Sequence, residues 1–310
     1  MGEVFAGRFE LLEPIAEGGM GSVWVVRDRK DDRLYAGKVL RHSDAASLMR
    51  FMREQATRID HPHVVTPMAW AGEDHRVVFT MPLVRGGSVA TLLGDHGPLP
   101  ASYVVAVLLQ AADALTAVHA AGVVHRDLKP ANLLLEPTGS GPPHVRLTDF
   151  GIAVALDDAR LTRGSQVIGS PGYMAPEQRA GADPDPRQDL FALATCGLEM
   201  LTGVRPPGAS RAARALVAAD PAHGPLVALL LATADADPGR RPASAAELAA
   251  RLRSTPLAAD PDEEAPHVFD QIEAPTAEPT GADPRRWAGL LLVLVGLLAA
   301  AGAVWLLLGA

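Results

Sequence analysis

One cysteine, Cys196, stands in the 310-residue sequence. That excludes an internal disulfide framework and a cysteine-rich zinc site, and it suits a reducing, cytoplasmic setting. Lysine is almost as scarce. Lys30, Lys38 and Lys129 are three of 28 cationic residues, so arginine is the default cation. The formal net charge is −8, without the clustered cations that a nucleic-acid surface needs, and no nucleic-acid partner is expected. Met1–Glu10 has no apolar run, which excludes a secretory signal there. Lys and Arg are absent from 254–284, where eight acidic residues and six prolines fall. With that segment set aside, 1–253 is nearly neutral, so the acidity describes no binding surface on the main body. What the chain does have is apolar content. Hydrophobic residues are 48% and charged residues 21%, which excludes wholesale disorder and supplies a sizeable core.

The sequence divides into three regions. Residues 287–308 hold neither a charge nor a proline. As a helix they would reach roughly 33 Å, enough to cross a bilayer core, so one C-terminal transmembrane helix is expected over 287–308. Arg285 and Arg286 lie just before it. By the positive-inside rule the rest of the chain is then cytoplasmic, giving a single-pass cell-membrane protein with no extracellular domain. Residues 254–286 are acidic, proline-rich and poor in aromatics, and are expected to form a disordered juxtamembrane linker. The folded unit is 9–253. Short apolar or alternating runs at 9–14, 22–27, 34–40 and 76–81 read as strands, and 47–59 as a helix among them. From residue 101 onward the pattern turns helical, at 101–121, 192–201 and 243–252. A β-rich first part and an α-rich second part imply an α+β fold of two lobes with a cleft between them.

The chemistry falls at that cleft. Glu17-Gly18-Gly19-Met20-Gly21 lies between two expected strands, where glycines let backbone N–H groups approach a polyphosphate. Lys38 lies in an apolar strand of an arginine-rich chain, so a compact point charge is wanted there. Glu54, on the next helix, is its expected partner. His125-Arg126-Asp127-Leu128-Lys129-Pro130-Ala131-Asn132 follows the long helix, then Asp149-Phe150-Gly151, then Ala175-Pro176-Glu177.

These motifs, in this order, match the protein kinase signature set. The chain resembles a bacterial eukaryotic-like Ser/Thr protein kinase of the membrane-anchored type common in actinobacteria, and the resemblance covers about 9–253. It implies a bilobal protein-kinase-like fold, ATP with Mg²⁺ or Mn²⁺ as cofactors, and transfer of the γ-phosphoryl group to Ser or Thr of proteins, including itself. It implies a catalytic set of Asp127, Lys129 and Asn132, with Asp127 meeting the hydroxyl proton and Lys129 neutralising charge on the transferred group. Asn132 and Asp149 would hold the metal. The nucleotide would meet Ile15, Ala16, Glu17, Gly18, Gly19, Met20, Gly21, Ser22 and Val23, then Lys38 paired with Glu54, then Met81 and Val84 at the hinge. Thr162 and Ser165 are the candidate phosphorylation sites, with Arg126 as partner for the added phosphate. Asp189 would brace the catalytic loop, and Arg241 would pair with Glu177. A homodimer through the small lobe is allowed by the resemblance and fixed by nothing in the sequence.

The chain departs from the pattern in places. Ala16 stands where the first glycine of the loop usually is, and Gly37 replaces the branched residue before Lys38. The stretch between Leu201-Thr202-Gly203 and Asp237-Pro238 is short, so the helices that dock substrates are expected to be abbreviated. The alternative from another class is a nucleotide-binding pseudokinase scaffold. Against it, Lys38, Glu54, Asp127, Asn132 and Asp149 are all present.

Overall fold

A computed structural model describes residues 3–18, 21–41, 59–73, 76–149, 170–257 and 264–272. Residues Met1–Gln271 form one compact unit and Ile272–Ala310 a second. Every element below belongs to the first.

The N-terminal lobe is a six-stranded antiparallel sheet in the order β1-β2-β3-β4-β6-β5. The strands are β1 (Val4–Phe5), β2 (Phe9–Gly18), β3 (Gly21–Asp28), β4 (Arg33–Arg41), β5 (Ala69–Glu73) and β6 (Arg76–Met81). The four strands expected from alternation are all there. β2 continues past Pro14 to Gly18, with register shifts at Leu11/Glu13 and Pro14/Ala16. A proline donates no ladder hydrogen bond, so a bulge is where a strand accommodates one. β1 and β5 were not foreseen. β5 (Ala-Trp-Ala-Gly-Glu) has little β character of its own and takes its register from β6. Phe5, Phe9, Leu11, Val26, Val39 and Val78 form the lobe's core. The helix expected over 47–59 lies outside the described residues apart from Ile59.

The C-terminal lobe holds α1 (Val89–His96), α2 (Ala101–Ala120), the hairpin β7 (Leu133–Leu135) with β8 (Val145–Leu147), α3 (Pro176–Arg179), α4 (Pro186–Thr202), α5 (Ala209–Ala219), α6 (Gly224–Thr233) and α7 (Ala245–Ser254). α2 is apolar around most of its circumference because it is covered on most sides. It packs on α4, α7 and β8 and buries Val104, Leu108, Ala111, Leu115 and Val118. α4 begins six residues before the expected start at 192. Asp185 caps it, accepting from the Arg187 N–H at 2.7 Å, and Pro186 fits its first turn. Polar Arg187, Gln188 and Asp189 break the apolar period there and hid the helix start. The short stretch before Asp237 carries α5 and α6.

α2 also corrects the membrane assignments. It is the one helix among the described residues that is long and apolar enough to cross a bilayer, and it lies mid-chain in the kinase-like body with 56% of its apolar window buried. Length and apolarity alone are met equally by a core helix. The two-lobed α+β fold stands, but the C-terminal transmembrane helix is withdrawn, and with it the membrane partnership and the single-pass cell-membrane location. Residues 287–308 themselves lie outside the described residues.

The expected linker differs in one part. Residues 264–271 belong to the compact unit, and Val268 is 2% exposed and bridged to Gly139. Pro266 and Val268 point inward while His267 and Phe269 point out, which is strand alternation in a segment whose average composition is acidic and proline-rich.

Candidate active site

The site assembles where the lobes meet. Lys38 comes from β4, between β3 and β6, with Val23 and Phe79 as its cross-strand neighbours. Its Nζ reaches Asp149 Oδ1 at 2.8 Å, and Lys38 is 7% exposed. That ion pair joins the N-terminal sheet to the chain leaving β8. Glu54, the partner expected for Lys38, lies outside the described residues.

The β2–β3 turn closes at Gly18↔Gly21, beside β4. Gly21 has φ +146°, and a Cβ there would lie 2.2 Å from the Val39 carbonyl oxygen, so only glycine fits. Ile15, Ala16 and Glu17 are exposed on β2, with Ser22 and Val23 opposite Glu17 and Ala16. Gly19 and Met20 lie outside the described residues.

Met81 ends β6, and Val84 follows in the link to α1. Both are buried in a cluster with Ala36 and Val65, packed by Val23, Leu83 and Leu134. Ala36 and Leu134 were not foreseen. Ala36 was readable, since it sits two residues before Lys38 and so on the same face of the strand. Leu134 was not, because only the tertiary fold brings β7 under the hinge.

The loop before β7 carries the densest chemistry. Lys129 Nζ donates to Asp127 Oδ2 at 2.7 Å, and the Ser170 N–H approaches Asp127 Oδ1 at 3.3 Å. Asn132 Nδ2 donates to the Asp127 carbonyl at 2.7 Å, which turns its amide oxygen away as the atom able to accept or ligate. Asp149 Oδ1 accepts from Lys38 Nζ at 2.8 Å. A carboxylate oxygen and a carboxamide oxygen form a hard donor set, suited to Mg²⁺.

Backbone strain marks the same places. Arg126 (φ +67°) and Asp149 (φ +64°) are non-glycine residues in the left-handed region. Such positions cost of order 1–3 kcal/mol each and persist only where the surroundings over-determine them. Asp189 supplies the restraint. Its Oδ1 accepts from Arg126 N–H at 2.8 Å, and its Oδ2 accepts from His125 N–H at 2.8 Å and meets His119 Nε2 at 2.8 Å. Gln178 Nε2 holds the Arg126 carbonyl at 2.8 Å. His125, fully buried, reaches the Thr148 carbonyl through Nε2 at 2.9 Å and so links this loop to the residue before Asp149. His119 and Gln178 were missed, since lone polar residues on helices carry no pattern.

Arg241 and Glu177 meet in a two-pronged pair at 2.6 and 2.8 Å, with the guanidinium 5.0 Å above the Phe191 ring. Burial is the largest single influence and pushes the Glu177 carboxyl up, but the Arg241 hydrogen bonds, a backbone hydrogen bond and the Arg241 charge together outweigh it and hold the group below its ordinary range. Thr162 and Ser165 lie outside the described residues. A cavity of about 330 Å³ opens beside Lys129, lined also by Ser170, Gly172, Tyr173, Glu199 and Arg205. Tyr173 donates its hydroxyl to Glu199 at 2.5 Å, and burial raises the Glu199 carboxyl above its usual value.

A two-lobed fold with a lysine–aspartate pair across the cleft and an Asp-x-Lys-x-x-Asn loop beneath it defines the protein kinases. The chain matches the protein kinase domain family over residues 9–234, and it belongs to that family. Within that family, the relatives it matches are bacterial Ser/Thr protein kinases. It is similar to Serine/threonine-protein kinase PknA of Mycobacterium tuberculosis, 38% identical over 216 residues, which are 66% of this chain and 49% of PknA. It is also similar to PkaB of Streptomyces coelicolor, at 39% over 217 residues, 67% of this chain and 52% of PkaB. Against pkn3 of Myxococcus xanthus the identity is 37% over 216 residues, 66% of this chain and 40% of that kinase. The chain thus spans about half the length of these relatives. Family membership implies use of ATP and Mg²⁺.

Proposed function

We propose that this chain transfers the γ-phosphoryl group of ATP to Ser and Thr hydroxyls of proteins, its own activation segment included. The observation that carries this is the Asp127–Lys129–Asn132 cluster lying against the same cleft as Lys38 and Asp149. Phosphoryl transfer asks a protein for position and charge more than for covalent chemistry. Asp127 receives the acceptor hydroxyl and takes up its proton as the new oxygen–phosphorus bond forms and the bond to ADP breaks. Lys129, 2.7 Å from Asp127, fixes that carboxylate and offsets negative charge on the group in transit. Lys38 binds the α- and β-phosphates, and the tight turn closed by Gly21 covers them. Val23, Ala36, Met81, Val84 and Leu134 offer an apolar slot for a purine ring. Asn132 and Asp149 would hold Mg²⁺, which when bound neutralises phosphate charge. The acceptor segment enters by the cavity beside Lys129. Thr162 and Ser165 are the proposed autophosphorylation sites, and Arg126 their phosphate partner.

The test is incubation of the full chain with labelled ATP, Mg²⁺ and a generic acceptor protein, beside Asp127→Asn. Label on Ser and Thr from the wild type, lost by a factor of about 10³ or more in a variant that still binds nucleotide, is the expected result. Nucleotide binding by the wild type with no transfer would overturn the proposal in favour of a scaffold, and label confined to tyrosine would overturn the acceptor class.

A further inference from the structure

The segment that composition marks as a free linker is gripped by the domain at the place where the hinge ends. Val268 donates its N–H to the Gly139 carbonyl and accepts from the Gly139 N–H, both at 2.8 Å. Gln271 donates its N–H to the Arg85 carbonyl at 2.8 Å. Asp270 Oδ2 lies 2.8 Å from Arg85 Nε. Three main-chain hydrogen bonds within four residues, two of them an isolated antiparallel bridge to Gly139, seat the segment with Val268 buried between them.

The receiving surface fits the segment. A Cβ on Gly87 would lie 2.4 Å from Gln271 Oε1, and one on Gly86 would lie 2.7 Å from Val268 Cγ1. Gly87 also has φ +75°, so it is the backbone there that calls for glycine, while the end of the Gln271 side chain lies close against it. The same turn is tied on its other side to β7, Gly86 N–H to the Leu135 carbonyl at 2.8 Å and Leu135 N–H to the Gly87 carbonyl at 3.0 Å. β7 carries Leu134, and Val84 lies just before Arg85. Both belong to the apolar cluster at the hinge.

We infer that residues 267–271 are a strap that sets the hinge from outside. It clamps the post-hinge turn Arg85-Gly86-Gly87 to the β7–β8 turn at Gly139, and so holds Val84 and Leu134 at the spacing that the purine slot requires. Linkage makes the effect reciprocal: a docked strap favours nucleotide, and bound nucleotide favours a docked strap. Anything that acts on the chain beyond the strap then acts on nucleotide affinity without touching the catalytic loop. Val268, Asp270 and Gln271 are positioning residues, and none reaches the reacting atoms.

The experiment uses the full chain, with hydrogen exchange at the Val268 and Gln271 amides and the dissociation constant of a fluorescent ATP analogue as readouts. Neither requires phosphoryl transfer, so failure of the kinase assignment is read separately. In the wild type both amides are protected, and more so with the analogue bound. Val268→Asp releases them and weakens the analogue about fivefold, at the low end of ordinary coupling between sites, with an unchanged rate at saturating ATP. Val268→Ile behaves as the wild type. Asp270→Arg weakens the analogue, and adding Arg85→Asp restores it, which mere loss of stability does not predict. Wild-type amides exchanging at the rate of an unstructured peptide would overturn the strap itself. Released amides with unchanged analogue affinity in Val268→Asp would overturn its hold on the hinge.

Discussion

At the scale of single residues, Asp189 and Arg241 do for the site what no reacting residue does for itself. Asp189 presents two acceptor oxygens to three donors, two of them main-chain N–H groups of the loop that precedes Asp127. Asparagine in its place turns one acceptor into a donor facing a donor. Asp189→Asn is expected to lower kcat by about 10²-fold, with a small change in the KM for ATP, and to cost about 2 kcal/mol of stability. Steady-state kinetics beside urea unfolding checks both. The Arg241–Glu177 pair differs because its job is cohesion. Arg241→Ala leaves Glu177 a partly buried charge without its partner, and about 3 kcal/mol of stability is expected to go. The pair also sets a pH dependence. The folded Glu177 carboxyl binds a proton less readily than the unfolded one, whose ordinary value is 4.5. Its contribution is therefore complete above that value and is lost as pH falls through the lower folded value. Between pH 5 and pH 3, thermal midpoints of the wild type should fall more steeply than those of Glu177→Gln.

At the scale of elements, α4 shows how a helix end serves a site. Asp189 lies in its first turn, so the cap at Asp185 fixes the start of the element that holds the His125 and Arg126 N–H groups. Asp185→Ala is expected to cost about 1 kcal/mol in chemical unfolding, and Asp185→Ser much less, because serine also accepts from the helix N–H groups. β4 has a comparable constraint at Gly37, where a Cβ would come 2.5 Å from Val26 Cγ1. Glycine there is what lets β4 lie close to Val26, and its loss would overpack the lobe that carries Lys38. The strands with alternating residues and the helix α2 were legible because periodicity reports which face is covered. β5 and the start of α4 were not. One depends on a partner strand, and the other begins with polar residues whose burial only the tertiary fold provides. The loop of Asp127, Lys129 and Asn132 carried the plainest motif of all, since the resemblance fixes residue types there at short spacing. Ala36, Leu134, His119 and Gln178 act through long-range contacts and left no such mark.

At the scale of the whole molecule, composition misled in both directions. A long apolar run reads as a membrane span, yet α2 shows that a run of this kind can be the centre of a lobe, with Leu108 1% exposed and Leu115 fully buried. Apolar length reports that a segment is covered and says nothing of what covers it. The acidic, proline-rich stretch errs the other way, because a few residues around Val268 decide the docking and an average over the stretch erases them. The cleft, by contrast, depends on both lobes at once, and the Lys38–Asp149 contact is its gauge. There the two charges meet at 2.8 Å. Nucleotide and metal should replace that contact with a stronger set, and anything that binds only the folded chain stabilises it by mass action, by about 2.7 kcal/mol at a hundred times its dissociation constant. ATP with Mg²⁺ is thus expected to raise the unfolding midpoint by several degrees, and ATP with a chelator by clearly less. Asp149→Asn keeps the fold and the purine slot but loses a carboxylate from the metal donor set. In that variant the midpoint should respond to ATP and no longer to Mg²⁺, whereas an undiminished Mg²⁺ increment would show that the metal is held elsewhere than at Asp149.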